Sequence, residues 1–280
     1  MRLGGALAST AANPRREAEL ILCYVLGVSR SGLYLILNEV VGEADFELAE
    51  AIAHRRAEGE PLQYLLGSAA FFGLELEVCE GVLVPRPETE VLVEQAVRLL
   101  KGISGNPQVV DMGTGSGAIA IAIAVSDPRV RITATDISSV ALKVAKRNAG
   151  RHGVLDRISF LKGDLFKPLK HLKGSVDLIA SNPPYIPQAD ENSLPIDVRR
   201  EPTEALMGGW DGLDFFRRIA REAPVYLKEG GSVILEVGDG QAMRVADLLE
   251  GAGLSDVAIA SDLAGVARVV SAARIAKAVA

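Results

Sequence analysis

Asn182-Pro183-Pro184-Tyr185 is the stretch whose residue types could do chemistry. It follows Val176-Asp177-Leu178-Ile179-Ala180, an apolar run that reads as a buried strand. The Asn182 carbonyl can accept one N–H of a planar NH2 group, and the backbone carbonyl of Pro183 can accept the other. Two consecutive prolines fix φ and remove two backbone donors, so the turn is stiff and presents acceptors. Tyr185 can lie against the flat face of whatever carries the NH2. Adenine, cytosine, or the side-chain amide of Gln or Asn would suit such a holder. The plain alternative is a proline-rich turn leaving a strand.

A second constellation lies upstream. Asp111-Met112-Gly113-Thr114-Gly115-Ser116-Gly117 joins a strand to a helix. Its glycines let backbone pass close to a ligand, and N–H groups at the helix start attract a carboxylate or phosphate. Asp136 ends the next strand, 19 residues after Gly117, where a carboxylate can accept both ribose hydroxyls of an adenosine. Asp164 follows the third strand and can take the adenine amino group, with Leu165 covering the ring. Gly113, Gly115 and Ala118 also fit the G-x-G-x-x-A pattern of dinucleotide sites. Three features favour S-adenosylmethionine instead. Asp111 can meet a methionine ammonium, directly or through water. A compact Gly-x-Gly-x-Gly suits a small carboxylate better than a pyrophosphate. The fourth strand ends in an amine-holding turn, without obvious hydride-transfer residues. The expected cofactor set is thus Asp111, Gly113, Thr114, Gly115, Ser116, Gly117, Asp136, Asp164, Leu165 and Asn182. The expected catalytic set is Asn182, Pro183, Pro184 and Tyr185. Transfer would be in-line attack of nitrogen on a sulfonium methyl, with S-adenosylhomocysteine as product.

The elements that must position these residues follow from periodicity. Pro14 suits a first helical turn, and Ala18, Leu20, Ile21, Tyr24, Val25 and Leu26 recur behind it at helical spacing. Gly27 ends that run, a second amphipathic stretch covers about 46–56, and 63–67 closes the module. Alternating Phe72, Leu74, Leu76 and Val78 predict a β-hairpin within 70–84. From Glu88 the pattern becomes alternating helix and strand. Strands are expected at 108–112, 131–135, 158–161, 177–180 and 232–236, with two more within 256–271. Helices are expected at 91–100, 117–125 and from Ser138 or Ser139 to 148. Such alternation gives a doubly wound, mostly parallel sheet with helices on both faces. Residues 186–210 form a long polar loop, of the kind that is functional or disordered.

Composition narrows the function class. The 280 residues suit about two domains, and 49% are hydrophobic, enough for a sizeable core. No apolar run approaches the roughly 20 residues of a membrane span, and no signal peptide is evident. Cys23 and Cys79 are isolated, and His54, His152 and His171 are scattered, so neither a disulfide framework nor a metal site is expected. Residues 1–88 carry seven Arg, no Lys and thirteen acidic residues, a net of −6 that matches the whole chain. Nucleic-acid binders cluster Lys and Arg, so this weighs against DNA or RNA as partner. A cytoplasmic monomer without membrane contact is expected.

The chain resembles the release factor N5-glutamine methyltransferases, the HemK or PrmC family, over about 14–271. The marks are Pro14-Arg15-Arg16-Glu17-Ala18-Glu19, Gln63-Tyr64-Leu65-Leu66-Gly67, Arg86-Pro87-Glu88-Thr89-Glu90, the glycine loop, the Asn-Pro-Pro-Tyr turn and Leu235-Glu236-Val237-Gly238. The turn alone is shared with adenine methyltransferases of DNA and RNA; the helical segment and the Arg-Pro-Glu-Thr-Glu entry are more specific. The resemblance implies a class I methyltransferase fold, α/β with seven strands. It is expected over 88–280, behind a five-helix substrate-recognition domain at 1–68 and a β-hairpin linker at 69–87. The implied substrate is the glutamine of the Gly-Gly-Gln loop of bacterial peptide chain release factors. Alternatives are a glutamine of a ribosomal large-subunit protein, an adenine N6 in nucleic acid, or a non-catalytic S-adenosylmethionine-binding module. Leu165 stands where some members carry an aromatic, and the segment before Pro14 is short for a full first helix.

Overall fold

The computed structural model describes Leu7, Ala11 and residues 13–275. The chain divides into two compact units. The smaller comprises Met1–Ser68 with Leu194–Glu201, the larger Ala69–Ser193 with Pro202–Ala280.

The smaller unit contains α1 (Pro14–Leu26), α2 (Arg30–Leu35), α3 (Glu43–Ala57) and α4 (Leu62–Leu66). Asn13 caps α1 by accepting the Arg16 N–H at 3.1 Å, and Gly27 closes it in the left-handed conformation. The fifth helix implied by the resemblance falls before Pro14, mostly outside the described residues. Ile21, Ala49, Ile52, Ala53 and Leu62 form the core. Buried Arg56 ties α3 to Glu17 at 2.8 Å and to Asp197 at 3.1 Å. Arg200 donates to the Glu58 carbonyl, and Ile196 lies over Gly59. Residues 194–201, expected as loop, are therefore pinned to the helices.

The larger unit begins at the second residue of β1 (Ser68–Phe71), which forms a hairpin with β2 (Leu74–Glu77). Then follow α5 (Thr89–Lys101), β3 (Gln108–Met112), α6 (Ala118–Ser126), β4 (Arg131–Asp136), α7 (Ser139–Arg151), β5 (Ile158–Lys162) and β6 (Val176–Ser181). The chain closes with α8 (Thr203–Leu206), α9 (Asp214–Tyr226), β7 (Leu227–Glu236), α10 (Ala242–Gly251), β8 (Ser255–Ser261) and β9 (Ala267–Ala273). Seven strands run in the order β5-β4-β3-β6-β7-β9-β8. β5, β4, β3, β6 and β7 are parallel; β9 is antiparallel to both β7 and β8. The doubly wound sheet is as read from the sequence. Strand side chains alternate between faces. Val109, Leu178 and Ile234 pack under α5 and α6, whereas Val110, Ile179 and Val233 meet α9 and α10. Both faces are thus buried, which is why these strands read as unbroken apolar runs. Phe71 and Leu76 join the first of these cores. No helix among the described residues is long and apolar enough to cross a membrane.

Candidate active site

The order of β3 to β6 reverses about the β3/β6 pair, which opens a crevice at the carboxyl ends of the strands. A cleft of about 320 Å³ lies there. Its walls include Gly81–Leu83, Thr89, Gly113–Ser116, Asp136, Leu165, Asn182–Pro184, Glu204, Phe215 and Arg218.

The glycine loop turns its backbone towards the sheet. Gly113 and Thr114 both donate to the Thr135 carbonyl at 2.9 Å. Gly115 donates to Asp136 Oδ2 at 2.9 Å, and Gly117 to the Thr114 carbonyl at 2.8 Å. Gly113 and Gly115 have φ of 69° and 56°, and a Cβ at either would meet nothing within 4 Å. Their outer side is therefore open space. Gly117, at φ 87°, is needed for a different reason: a Cβ there would approach Ile121 to 2.8 Å and Ala145 to 3.2 Å. The N–H groups with no protein acceptor among the described residues are those of Ser116, Ala118 and Ile119. The anion-attracting donors are thus at the start of α6, not on the glycines.

Asp111 is fully buried and does not line the cleft. Its Oδ2 accepts from the Thr114 hydroxyl at 2.6 Å and from Ala120 N–H at 3.2 Å, while Oδ1 has no partner. Burial pushes this carboxyl up to about 7. The sequence expectation is contact with an ammonium directly or through water; in the structure the loop lies in front of Asp111, which braces it through Thr114 and Ala120 and keeps Oδ1 unpartnered. Asp136 does reach the cleft. It holds Gly115 with one oxygen and Ser138 N–H with the other at 2.8 Å, and burial raises its pKa.

Asp164 lines the cleft, but its carboxylate is engaged. Arg218 reaches both oxygens, at 2.6 and 2.7 Å, and Lys167 comes within 3.0 Å. Burial opposes ionisation there, yet the two cations outweigh it and hold the carboxyl below its ordinary value. The carboxylate expected from sequence to take an adenine amino group is thus also ion-paired from α9, while it stays at the cleft wall. Leu165 adopts φ 47°, an uncommon conformation for a branched residue, and faces the cleft.

The catalytic turn begins where β6 ends. Ser181 is fixed by donating to the Met112 carbonyl at 2.8 Å. Asn182 donates from Nδ2 to Thr89 Oγ1 at 3.1 Å. Among the described residues no donor reaches Asn182 Oδ1. Pro183 and Pro184 line the cleft beside it. Tyr185 does not line it: its ring packs beside Gly238 against the second core, and its carbonyl accepts from Gln241 at 2.9 Å. Burial, reinforced by the Glu236 charge, pushes the phenol up to about 12. The ring expected from sequence to lie against the guest packs here beside Gly238, and Tyr185 anchors the turn through its carbonyl. Residues 206–212 complete the anchor. Ile186 pairs with Met207, Ile186 N–H donates to the Leu206 carbonyl, and Gly208 N–H donates back to the Ile186 carbonyl at 2.8 Å.

Local sequence does not mark Thr89, Gln241, Phe215 or Arg218 as site residues. Thr89 lies in the Arg-Pro-Glu-Thr-Glu entry, and that motif was the available signal. Arg218 and Phe215 sit on a helix whose period gives no hint of a ligand. Among the described residues no three His, Cys, Asp or Glu are grouped to hold a metal.

Residues 5–67 match the PrmC N-terminal domain family, and residues 89–197 the methyltransferase small domain family. A release factor glutamine methyltransferase of Geobacter sulfurreducens is 42% identical over 259 residues, spanning 92% of this chain and 89% of that protein. Another with that name, from Bordetella pertussis, is 43% identical over 91% of this chain and 93% of its own. Among solved structures, a methyltransferase of Pyrococcus furiosus is 22% identical, with a TM-score of 0.54 over 74% of this chain and 92% of that one. A ribosomal protein L11 methylase of Lactobacillus delbrueckii is 20% identical, with a TM-score of 0.52 over 71% of this chain and 84% of that one. These two share the fold.

Proposed function

This chain belongs to the release factor glutamine methyltransferases, and we propose that its cleft transfers a methyl group from S-adenosylmethionine to the side-chain amide nitrogen of the Gly-Gly-Gln glutamine of a release factor. The observation that carries the reading is Asn182. Its Nδ2 donates to Thr89, which leaves Oδ1 as an acceptor, and Pro183, the next residue, lines the same cleft. Two rigid acceptors at the mouth of a parallel sheet suit a primary amide.

The cleft fits the cofactor. The open faces of Gly113 and Gly115 admit it closely, and the N–H groups of Ser116, Ala118 and Ile119 suit its carboxylate. Asp136 retains lone pairs for ribose hydroxyls. Val82, Leu83, Ile137, Leu165 and Phe215 supply apolar walls for an adenine. Bound there, S-adenosylmethionine supplies an electrophilic methyl on a good leaving group.

The protein's own task is alignment. Asn182 Oδ1 and the Pro183 carbonyl each take one N–H of the glutamine amide, which fixes the nitrogen and raises its electron density. The nitrogen lone pair would form the new N–C bond while the cofactor, as leaving group, would take the electrons of the broken S–C bond. The positive charge that develops on nitrogen strengthens both hydrogen bonds, and one N–H proton then passes to solvent water, since neither acceptor is basic enough to keep it. Asn182→Ala removes one acceptor and should lower kcat by roughly 10²-fold or more, on the scale of a lost transition-state hydrogen-bond partner. We assign the helical unit to gripping the release factor, with its acidic surplus facing a basic patch. The experiment is methyl transfer from labelled S-adenosylmethionine to a purified release factor. Label in the Gly-Gly-Gln peptide that survives Asn182→Ala at parental rate would refute the assignment of this turn.

A further inference from the structure

We propose that Thr89 and Glu236 form a positioning relay that dictates which end of the Asn182 amide faces the substrate. The inference rests on the reading of Asn182 as the glutamine holder. Thr89 is the first residue of α5, and Glu236 is the last of β7; they are 4% and 1% exposed. The Thr89 hydroxyl accepts from Asn182 Nδ2 at 3.1 Å and donates to the Glu236 carboxylate. The other Glu236 oxygen, Oε2, is buried and has no partner.

The logic is one of hydrogen-bond polarity. Burial pushes the Glu236 carboxyl up to about 7, so the relay is set where that carboxyl is ionised, above neutral pH, and an ionised carboxylate only accepts. It therefore claims the single hydroxyl hydrogen of Thr89. Only lone pairs remain on that hydroxyl for Asn182, and a lone pair selects the NH2 end of the amide. Oδ1 is thereby turned away from Thr89. An Asn without this constraint could flip by about 180° and offer N–H groups to the N–H groups of a substrate amide, a repulsive pairing. A buried carboxylate with an orphan oxygen is costly, and such a cost at a site needs a reason. Fixing the acceptor end of the catalytic amide supplies it. Arg86, Glu88, Arg268 and Tyr185 also act on Glu236 electrostatically, so the acid sits within a charged ring at the rear of the turn.

Thr89→Val keeps the shape and deletes the hydroxyl, whereas Thr89→Ser keeps the hydroxyl. With a release factor and labelled S-adenosylmethionine at pH 8, where Glu236 is ionised, Thr89→Val should lose roughly 10–100-fold in kcat, the scale of a misaligned reacting group. KM for the release factor and the affinity for S-adenosylhomocysteine should stay within about threefold, because neither depends on the amide's orientation alone. Thr89→Ser should recover kcat to within about threefold of the parent. A folded Thr89→Val with kcat within about twofold of the parent, or a loss that Ser leaves unrescued, overturns the relay. Should Thr89→Val fail to fold, Glu236→Gln decides. Its amide can offer Thr89 a donor as well as an acceptor, so kcat should fall about fivefold or more, and an unchanged kcat overturns the relay. A parent enzyme that leaves the glutamine unlabelled overturns the functional reading itself. A labelled parent with an unaffected Thr89→Val overturns only this inference.

Discussion

Gly208→Ala tests whether the loop behind the catalytic turn sets the turn's position. Gly208 needs no left-handed backbone, so the added methyl is a question of space alone. Its Cβ would lie 2.7 Å from the Gly212 and Pro184 carbonyl oxygens and 2.8 Å from Tyr185 Cα. Ordinary contact begins near 3.4 Å, so each neighbour must yield about 0.6–0.7 Å. All three are backbone atoms, and none can relax as a side-chain tip would. Two of them belong to the residues that follow Asn182 and Pro183. A displacement approaching 1 Å in a positioning group costs up to about 10²-fold in rate, so kcat should fall roughly 10–100-fold. That is about 1.4–2.7 kcal/mol in activation free energy. Overpacking should also remove about 1–3 kcal/mol of stability. Affinity for S-adenosylhomocysteine, read by calorimetry, should change by less than about threefold, because the glycine loop and Asp136 do not touch Gly208. Gly150→Ala is the control. Gly150 is an exposed helical glycine with nothing within 4 Å of an added Cβ, and the change should leave kcat alone and add about 0.5–1 kcal/mol of stability. A Gly208→Ala enzyme with parental kcat and melting temperature would refute the idea that residues 208–212 hold the turn.

Other perturbations separate the remaining parts of the site. Asp136→Ala removes the carboxylate that holds Gly115 and Ser138. Charge-assisted bonds are worth about 1.5–3 kcal/mol each, so cofactor affinity should fall by about 10²-fold or more, and a Kd within threefold of the parent would exclude Asp136 from the cofactor site. Asp111 and Glu236 both have carboxyls pushed up to about 7 by burial. Between their ordinary values near 4 and about 7 the native state holds protons that the unfolded chain has released. Stability of the ligand-free enzyme should therefore fall as pH rises through that window, by on the order of 3 kcal/mol per group. Urea unfolding at pH 5 and pH 8 measures the drop; Glu236→Gln should show a smaller one, and an equal drop in both proteins contradicts the assignment.

Much of this architecture is legible in the sequence, for physical reasons. Buried parallel strands must be apolar on both faces, so 108–112 and 176–181 announce themselves. The glycine loop and Asp136 lie within one βαβ unit, where local order and spatial order coincide. The Asn-Pro-Pro turn is legible because proline restricts its own backbone. What escaped depends on partners far apart in the chain. Asp164 looks free until Arg218, 54 residues later, reaches both its oxygens. Thr89 meets Asn182 across 93 residues. The ring of Tyr185 turns into the core because Gly238, Gln241 and the 206–212 loop close around it, and no local rule foretells that packing. Residues 194–201 look like loop, yet Arg56 and the Glu58 carbonyl recruit them to the helical unit. In α9, Phe216, Ile219, Ala220 and Ala223 repeat at helical spacing, a local signal for that helix within the sequence.

The most direct measurement is the position of a transferred methyl group. Parent enzyme, labelled S-adenosylmethionine and an intact release factor should place one label on the amide nitrogen of the Gly-Gly-Gln glutamine, located by peptide mass spectrometry. The label should vanish with Gln→Ala in that peptide and drop steeply with Asn182→Ala. Label that persists after the Gln→Ala change, or that goes instead to nucleic acid or to a ribosomal protein offered in the same assay, would contradict the account.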